Sequence, residues 1–351
     1  MEILVSLIYL SAGLFMGWSL GGNDVANIFG TAVESRTVKF KTAAILASIF
    51  VIIGVLTGGK ATSDTLSELG SINAIGGAFT VSASAAVTVM IMTKMGLLVS
   101  TSQAIVGAII GWNLFSGNKT KFEVLSKIIG TWIFTPILSA IFAILFYWII
   151  KLVIYNTKMN LFHMYQYTKI ALILSGAFGS YSIGANNIAN VMGVYINVSP
   201  LRTINLTKSL QISGEQQLFL LGGIAIVVGI LTFSKKIMMT AGSGIFKLSP
   251  LCALIALFAS SLVLFLFSNE GLHVWLTARN LPAFPMVPVS QSQAVVGAII
   301  GIGIARGAKN IHLKQLGQIG LGWILTPTFS MILAYIALFF MQNVFVQKVF
   351  F

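Results

Sequence analysis

The chain has 351 residues, 57% of them hydrophobic and only 8% charged, with a mean hydropathy of +0.94. Soluble domains carry about 25% charge, so a water-soluble globular chain is excluded. Apolar runs of about 20 residues recur along the whole length, and these mark an all-α polytopic membrane protein. A net charge of +13 would suggest nucleic acid in a soluble chain. Here the basic residues fall in short loops between apolar runs, where they follow the rule that cytoplasmic loops are positive, so no nucleic-acid partner is expected. The single cysteine, Cys252, excludes an intrachain disulfide framework and a cysteine-rich metal site.

Five apolar segments occupy the first half, at 3–33, 42–58, 72–98, 101–116 and 128–150. Five more follow at 168–196, 216–233, 249–267, 287–305 and 317–345. The first has no basic leader or small-residue cleavage site and reads as a retained helix. Motifs in the two sets correspond in the same order. GGNDVANIFGTAV (21–33) answers GANNIANVMGVYI (184–196), and GVLTGGK (54–60) answers GILTFSK (229–235). VSTSQAIVGAIIG (99–111) answers VSQSQAVVGAIIG (289–301), and GTWIFTP (130–136) answers LGWILTP (321–327). The offset grows from 163 (Asp24 to Asn187) to 175 (Lys60 to Lys235), 190 (Gln103 to Gln293) and 191 (Trp132 to Trp323), which places the insertions in loops.

The chain therefore divides into membrane repeats at 1–157 and 158–351. An odd number of crossings in each makes the second enter from the opposite side, an inverted repeat. With the N-terminus outside and ten crossings, the cytoplasmic loops take Arg36, Lys39, Lys41, Lys94, Lys151, Lys158, Lys169, Lys235, Lys236, Lys247, Arg306, Lys309 and Lys314. These are thirteen of the 21 lysines and arginines, a bias of the expected sign. The Lys119–Lys127 loop would fit better inside if segment 101–116 re-entered without crossing. That segment is also short for a span at 1.5 Å per residue.

The chemistry sits in the repeated motifs. A carboxylate or carboxamide cluster in hydrocarbon costs several kcal/mol (roughly 2–7 for one unbonded amide) unless paired or solvated, and this chain places one in each half. Asp24 brings a negative charge, and Asn23 and Asn27 bring amide oxygens. Such oxygens suit a hard cation, Na⁺ included, or Asp24 carries a proton. The competing reading pairs Asp24 with a lysine. Gly21 and Gly22 are expected to loosen the helix and free backbone groups. Thr101, Ser102 and Gln103, and Ser290, Ser292 and Gln293, stand directly before the two GAIIG stretches. Ser and Thr are good helix N-caps, and a helix beginning inside the membrane aims its free N–H groups at a tetrahedral oxyanion. The GAIIG glycines read as close-packing positions, and Thr135-Pro136 and Thr326-Pro327 as kinks. His163, His273 and His312 fall near segment ends and read as interfacial.

These two motif pairs resemble the repeated signatures of the PiT family, the inorganic phosphate transporters, over essentially the whole chain. The resemblance implies two inverted repeats with broken or re-entrant helices meeting at a central site in a multi-pass cell-membrane protein. It implies import of inorganic phosphate with Na⁺ or H⁺ by alternating access, with no cofactor, and a homodimer. Some relatives carry sulfate. Carried over position by position, Asn23, Asp24, Asn27, Asn186, Asn187 and Asn190 form the cation side, with Asn23, Asp24 and Asn187 as Na⁺ ligands. Thr101, Ser102, Gln103, Ser290, Ser292 and Gln293 form the oxyanion side. The chain departs from the family in having Asn187 where a second Asp is common, Gln103 and Gln293 where many members have His, and Val51 where some have Glu. One fixed charge is missing, and a histidine proton switch is excluded at both glutamines. A sulfate permease of the same fold and a passive anion channel are the alternatives. No zinc-protease or nucleophile-elbow motif supports an enzyme.

Overall fold

The computed structural model describes residues 2–95, 97, 99–157, 160–205, 211–240, 248–307 and 313–351. Lys158, Lys208, Lys247, Lys309, His312 and the 157/158 repeat boundary lie outside the described residues. Apart from a two-residue antiparallel ladder pairing β1 (Ile204–Asn205) with β2 (Gln211–Ile212), the regular structure of the described residues is helical. The helices of the first half are α1 (Glu2–Glu34), α2 (Phe40–Gly58), α3 (Lys60–Gly70), α4 (Ile75–Lys94), α5 (Thr101–Ser116) and α6 (Phe122–Thr157). Those of the second are α7 (Leu161–Met192), α8 (Gly214–Thr232), α9 (Ser234–Thr240), α10 (Pro250–Leu266), α11 (Glu270–Thr277), α12 (Gln291–Ala305) and α13 (Leu313–Asn343). A backbone in hydrocarbon must satisfy its own polar groups, which is why apolar segments of this length become helices.

Five helices, α2, α4, α6, α8 and α13, are long and apolar enough to cross a membrane, and α10 with α11, bent by 63°, makes a sixth. The long α1 and α7, which carry the asparagine motifs, are not among them. At 16 and 15 residues, α5 and α12 are shorter than the roughly 20 residues a full crossing needs.

The growing offset between the halves has visible causes. The β1–β2 ladder lies in the long connection between α7 and α8, whereas α1 and α2 are joined by five residues, 35–39. The helix α11 and the irregular run 281–290 fill the connection before α12, where the first half uses only 95–100.

Contacts between the halves come in reciprocal pairs. A Cβ on Gly21 would overlap the carbonyl of Ile226, and one on the corresponding Gly184 would overlap that of Val51. Gly54 lies against the Tyr181 carbonyl and its counterpart Gly229 against that of Trp18. Gly107 of α5 abuts Pro327 of α13, and Gly297 of α12 abuts Pro136 of α6. The first GAIIG helix thus packs on the last helix of the second half, and the second GAIIG helix on the last helix of the first. Glycine permits this backbone approach, as the small-xxx-small spacing predicted.

One expectation needs correction. The motif glycines do not open their helices: α1 runs unbroken through Gly21 and Gly22, and α7 through Gly184, because the missing Cβ atoms are used for close packing. Pro136 and Pro327 lie inside α6 and α13, whose helical assignment continues through them. The helix ends that matter lie elsewhere, at the starts of α5 and α12.

Candidate functional site

Ser100 and Ser290 are extended N-caps whose hydroxyls accept the backbone N–H of Gln103 (3.2 Å) and Gln293 (3.3 Å). Capping one amide of each first turn leaves those of Thr101 and Ser102, and of Gln291 and Ser292, without intrahelical acceptors. The two ends are held together. Ser102 Oγ donates to the carbonyl of Val289, the residue before the α12 cap, at 3.1 Å. Asn190 Nδ2 of α7 donates to the same Ser102 Oγ at 2.9 Å. Two positive helix ends therefore meet inside the protein, which is an anion-binding arrangement needing no lysine or arginine.

A carboxylate borders this point. Thr101 Oγ1 donates to Asp24 Oδ2 at 2.6 Å, and Asn23 Nδ2 to Asp24 Oδ1 at 3.3 Å. Asp24 is 2% exposed and has no lysine, arginine or histidine partner among the described residues. The ion pair found among them is the exposed Lys127–Glu123, at 2.8 Å. Among the described residues no lysine pairs with Asp24, whose carboxyl is held by neutral donors, Thr101 at the N-terminus of α5 and Asn23 beside it.

The second motif is arranged differently. Asn186, Asn187 and Asn190 are completely buried, whereas Asn23 and Asn27 are half-buried. Asn186 Nδ2 donates to Val287 O at 3.2 Å, and its Oδ1 accepts the Val289 N–H at 2.8 Å. Ser290 Oγ, besides capping Gln293, pairs with Ser292 Oγ at 3.0 Å.

Unpartnered polar atoms concentrate at this centre. Buried without a partner are Gln103 Oε1, Gln293 Oε1, Asn190 Oδ1 and both side-chain polar atoms of Asn187 and of Gln291. An unmade hydrogen bond costs about 1–3 kcal/mol for each such atom, so a group of them calls for a functional explanation. Gln291 was not singled out from sequence. The offset of 190 was the available signal, since it sets Gln291 opposite Thr101. Asp24 and Thr101 in the first half correspond to Asn187 and Gln291 in the second: one pair is charged and bonded, the other neutral and unpartnered.

Ser330 of α13 adds a support that the sequence did not flag, donating to the Ala104 carbonyl in the first turn of α5 at 2.7 Å. Among the described residues no group of three or more His, Cys, Asp or Glu side chains is placed to hold a metal. His273 Nδ1 lies 2.8 Å from the Phe284 carbonyl, so this histidine is engaged in the α11 connection.

A bundle of membrane-length helices enclosing two capped helix ends and a buried carboxylate is the build of a multi-pass membrane protein. The chain belongs to the phosphate transporter family, whose profile matches residues 20–283 and 274–350. It is similar to a putative phosphate permease of Haemophilus influenzae, with 26% identity covering 97% of each chain. It is also similar to a putative phosphate permease of Methanocaldococcus jannaschii, with 27% identity over 95% of this chain and 97% of that one. The sulfate permease CysP of Bacillus subtilis shares 27% identity, covering 92% of this chain and 84% of that one. In fold the chain matches a solved structure titled "The sodium-dependent phosphate transporter" at a TM-score of 0.76, with 22% identity over 97% of this chain and 100% of the other.

Proposed function

We propose that the protein imports inorganic phosphate together with a cation, Na⁺ in first place, by alternating access of two inverted repeats around the shared centre. The observation that carries this is the meeting of two capped helix N-termini beside a buried, unpaired carboxylate. Thr101, Ser102 and Gln103, with Ser290, Ser292 and Gln293, bound the anion. Asp24 with the carboxamide oxygens of Asn23, Asn27 and Asn187 takes the cation. The reciprocal glycine contacts support the inverted-repeat relation.

Charge explains why a cation is needed. Phosphate carries between one and two negative charges, and moving one charge against 100 mV costs about 2.3 kcal/mol. Asp24 is the charged group of the centre that can recruit a cation to offset it. Phosphate is favoured over sulfate by hydrogen-bond type. The carbonyl oxygens of Gln103 and Gln293 are buried without a donor, and protonated phosphate brings an O–H donor where sulfate has acceptors alone. The likeness to a sulfate permease makes sulfate the second reading. Competition decides: unlabelled phosphate should suppress labelled phosphate uptake into proteoliposomes, and excess sulfate should not. Suppression by sulfate at equal concentration would transfer the assignment. The exposed apolar side chains of α6, including Ile133, Phe134, Ile137 and Ile141, fit a lipid-facing surface. The cell membrane is the proposed location, and a homodimer the proposed state.

A further inference from the structure

The two halves carry corresponding asparagines, yet the structure uses them unequally. Asn186 holds both Val287 and Val289, and Asn190 holds Ser102, whose hydroxyl in turn holds Val289. The irregular run leading into α12 is thereby fixed from α7 and α5 at once. The counterparts across the repeat are Asn23 for Asn186, Asn27 for Asn190, Ser292 for Ser102 and Val99 for Val289. None of the equivalent bonds is formed among the described residues. Asn23 turns to Asp24, Ser292 turns to Ser290, and Asn23 and Asn27 are half-buried.

We infer that Asn186 and Asn190 are positioning residues forming a latch on the second half, and that the latch changes halves during transport. This rests on the alternating-access reading above. In the opposite state, Asn23 grips the backbone at Val99 and Asn27 grips Ser292, while Asn186 and Asn190 are released and become accessible. The two sets are chemically the same, and one is closed while the other is open. Ser102 reaches across to Val289 from α5 while Ser292 stays with Ser290, so the join between α5 and α12 is one-sided. The latched run delivers the first-turn amides of α12 to the centre, so Asn186 and Asn190 act on the anion through Val289 and Ser102 and do not touch it.

Cross-linking in a Cys252→Ala background tests this. One variant carries Asn190→Cys with Ser102→Cys, a second carries Asn27→Cys with Ser292→Cys, and a third carries all four. A short bis-methanethiosulfonate is applied in proteoliposomes under opposite Na⁺ and phosphate gradients. The expected result is that conditions raising cross-linking of the 27/292 pair lower that of the 102/190 pair. In the four-cysteine variant either bridge should exclude the other. Both bridges forming in one chain, or a 27/292 pair that never cross-links, would overturn the inference. Labelled uptake by the wild type is measured alongside. Passive flux there, with the bridges still mutually exclusive, would refute the transport reading and leave the latch standing.

Kinetics give a second readout. Asn186→Ala should raise the phosphate KM several-fold with the Na⁺ half-saturation unchanged. Asn186→Asp, which keeps an acceptor for the Val289 N–H, should recover part of that loss. A several-fold shift of Na⁺ half-saturation in either variant would make Asn186 a cation ligand instead.

Discussion

Gly297→Ala adds one carbon at a tight helix crossing in the second half. That carbon would lie 2.5 Å from Pro136 Cα and 2.6 Å from its carbonyl carbon, and would overlap the carbonyl oxygen. These are backbone atoms of a long helix, so no side-chain rotation relieves the clash. Restoring ordinary contact at about 3.5–4.0 Å requires α12 to move away from α6 by roughly 1 Å or more. Overpacking of this kind costs about 1–3 kcal/mol, against a gain of about 1 kcal/mol from replacing glycine within a helix. The net effect is loss of stability. The shift also displaces the first turn of α12, so phosphate KM should rise. Gly303→Ala is the control: it lies in the same helix with nothing within 4 Å of its added carbon, and it should keep or gain stability. The assay is thermal unfolding of the purified protein in detergent, followed by uptake. Equal melting temperatures and uptake for the two variants would refute the packing argument.

Three further outcomes are expected. Asp24→Asn should abolish or uncouple uptake, and if one coupling charge is lost, the attainable accumulation at 100 mV should fall about 50-fold, from about 2.3 kcal/mol per charge; ion-dependent uptake like the wild type would sink the assignment. Thr101→Val removes the donor to Asp24 while preserving shape and should weaken cation dependence more than Ser330→Ala does, a ranking that cation titrations of uptake would check. Asp64, on α3, has its carboxyl pKa raised, chiefly by burial, with Glu68 and Glu270 reinforcing the shift and Lys60 opposing it. A raised carboxylate pKa means the folded state binds the proton more tightly, so stability falls as pH rises from the unfolded value of about 3.9. Asp64→Asn should therefore raise the melting temperature at neutral pH and leave it unchanged near pH 3; the reverse pattern would contradict the burial argument.

Most of the helical layout was readable because membrane-length apolar runs have few alternatives to helix. The GAIIG glycines were also readable as packing positions, since their spacing fixes one helix face. Less was readable where a residue's role depends on an unseen neighbour. Gly21 and Gly22 look like helix breakers in isolation, but the structure sets them against Ile226 and Phe233, and their value is the absence of a side chain. The difference between Asn23 and Asn186 is invisible in two nearly identical motifs, because it arises from which backbone each one meets. Gln291 is one polar residue among several in the VSQSQ stretch, and only the burial of both its polar atoms without partners distinguishes it. The helix α11 lies in the stretch where the repeats have no counterpart, so repeat matching could not supply it.

The central claim is coupled phosphate transport. It is tested most directly by labelled phosphate uptake into proteoliposomes under an inward Na⁺ gradient, an inward proton gradient, or neither. The account predicts accumulation above equilibrium with Na⁺ and simple absence of accumulation without a gradient. Accumulation driven by protons alone would reassign the coupling ion to a proton carried by Asp24. Equilibration at the same rate in all three conditions would show a passive pore and contradict the account.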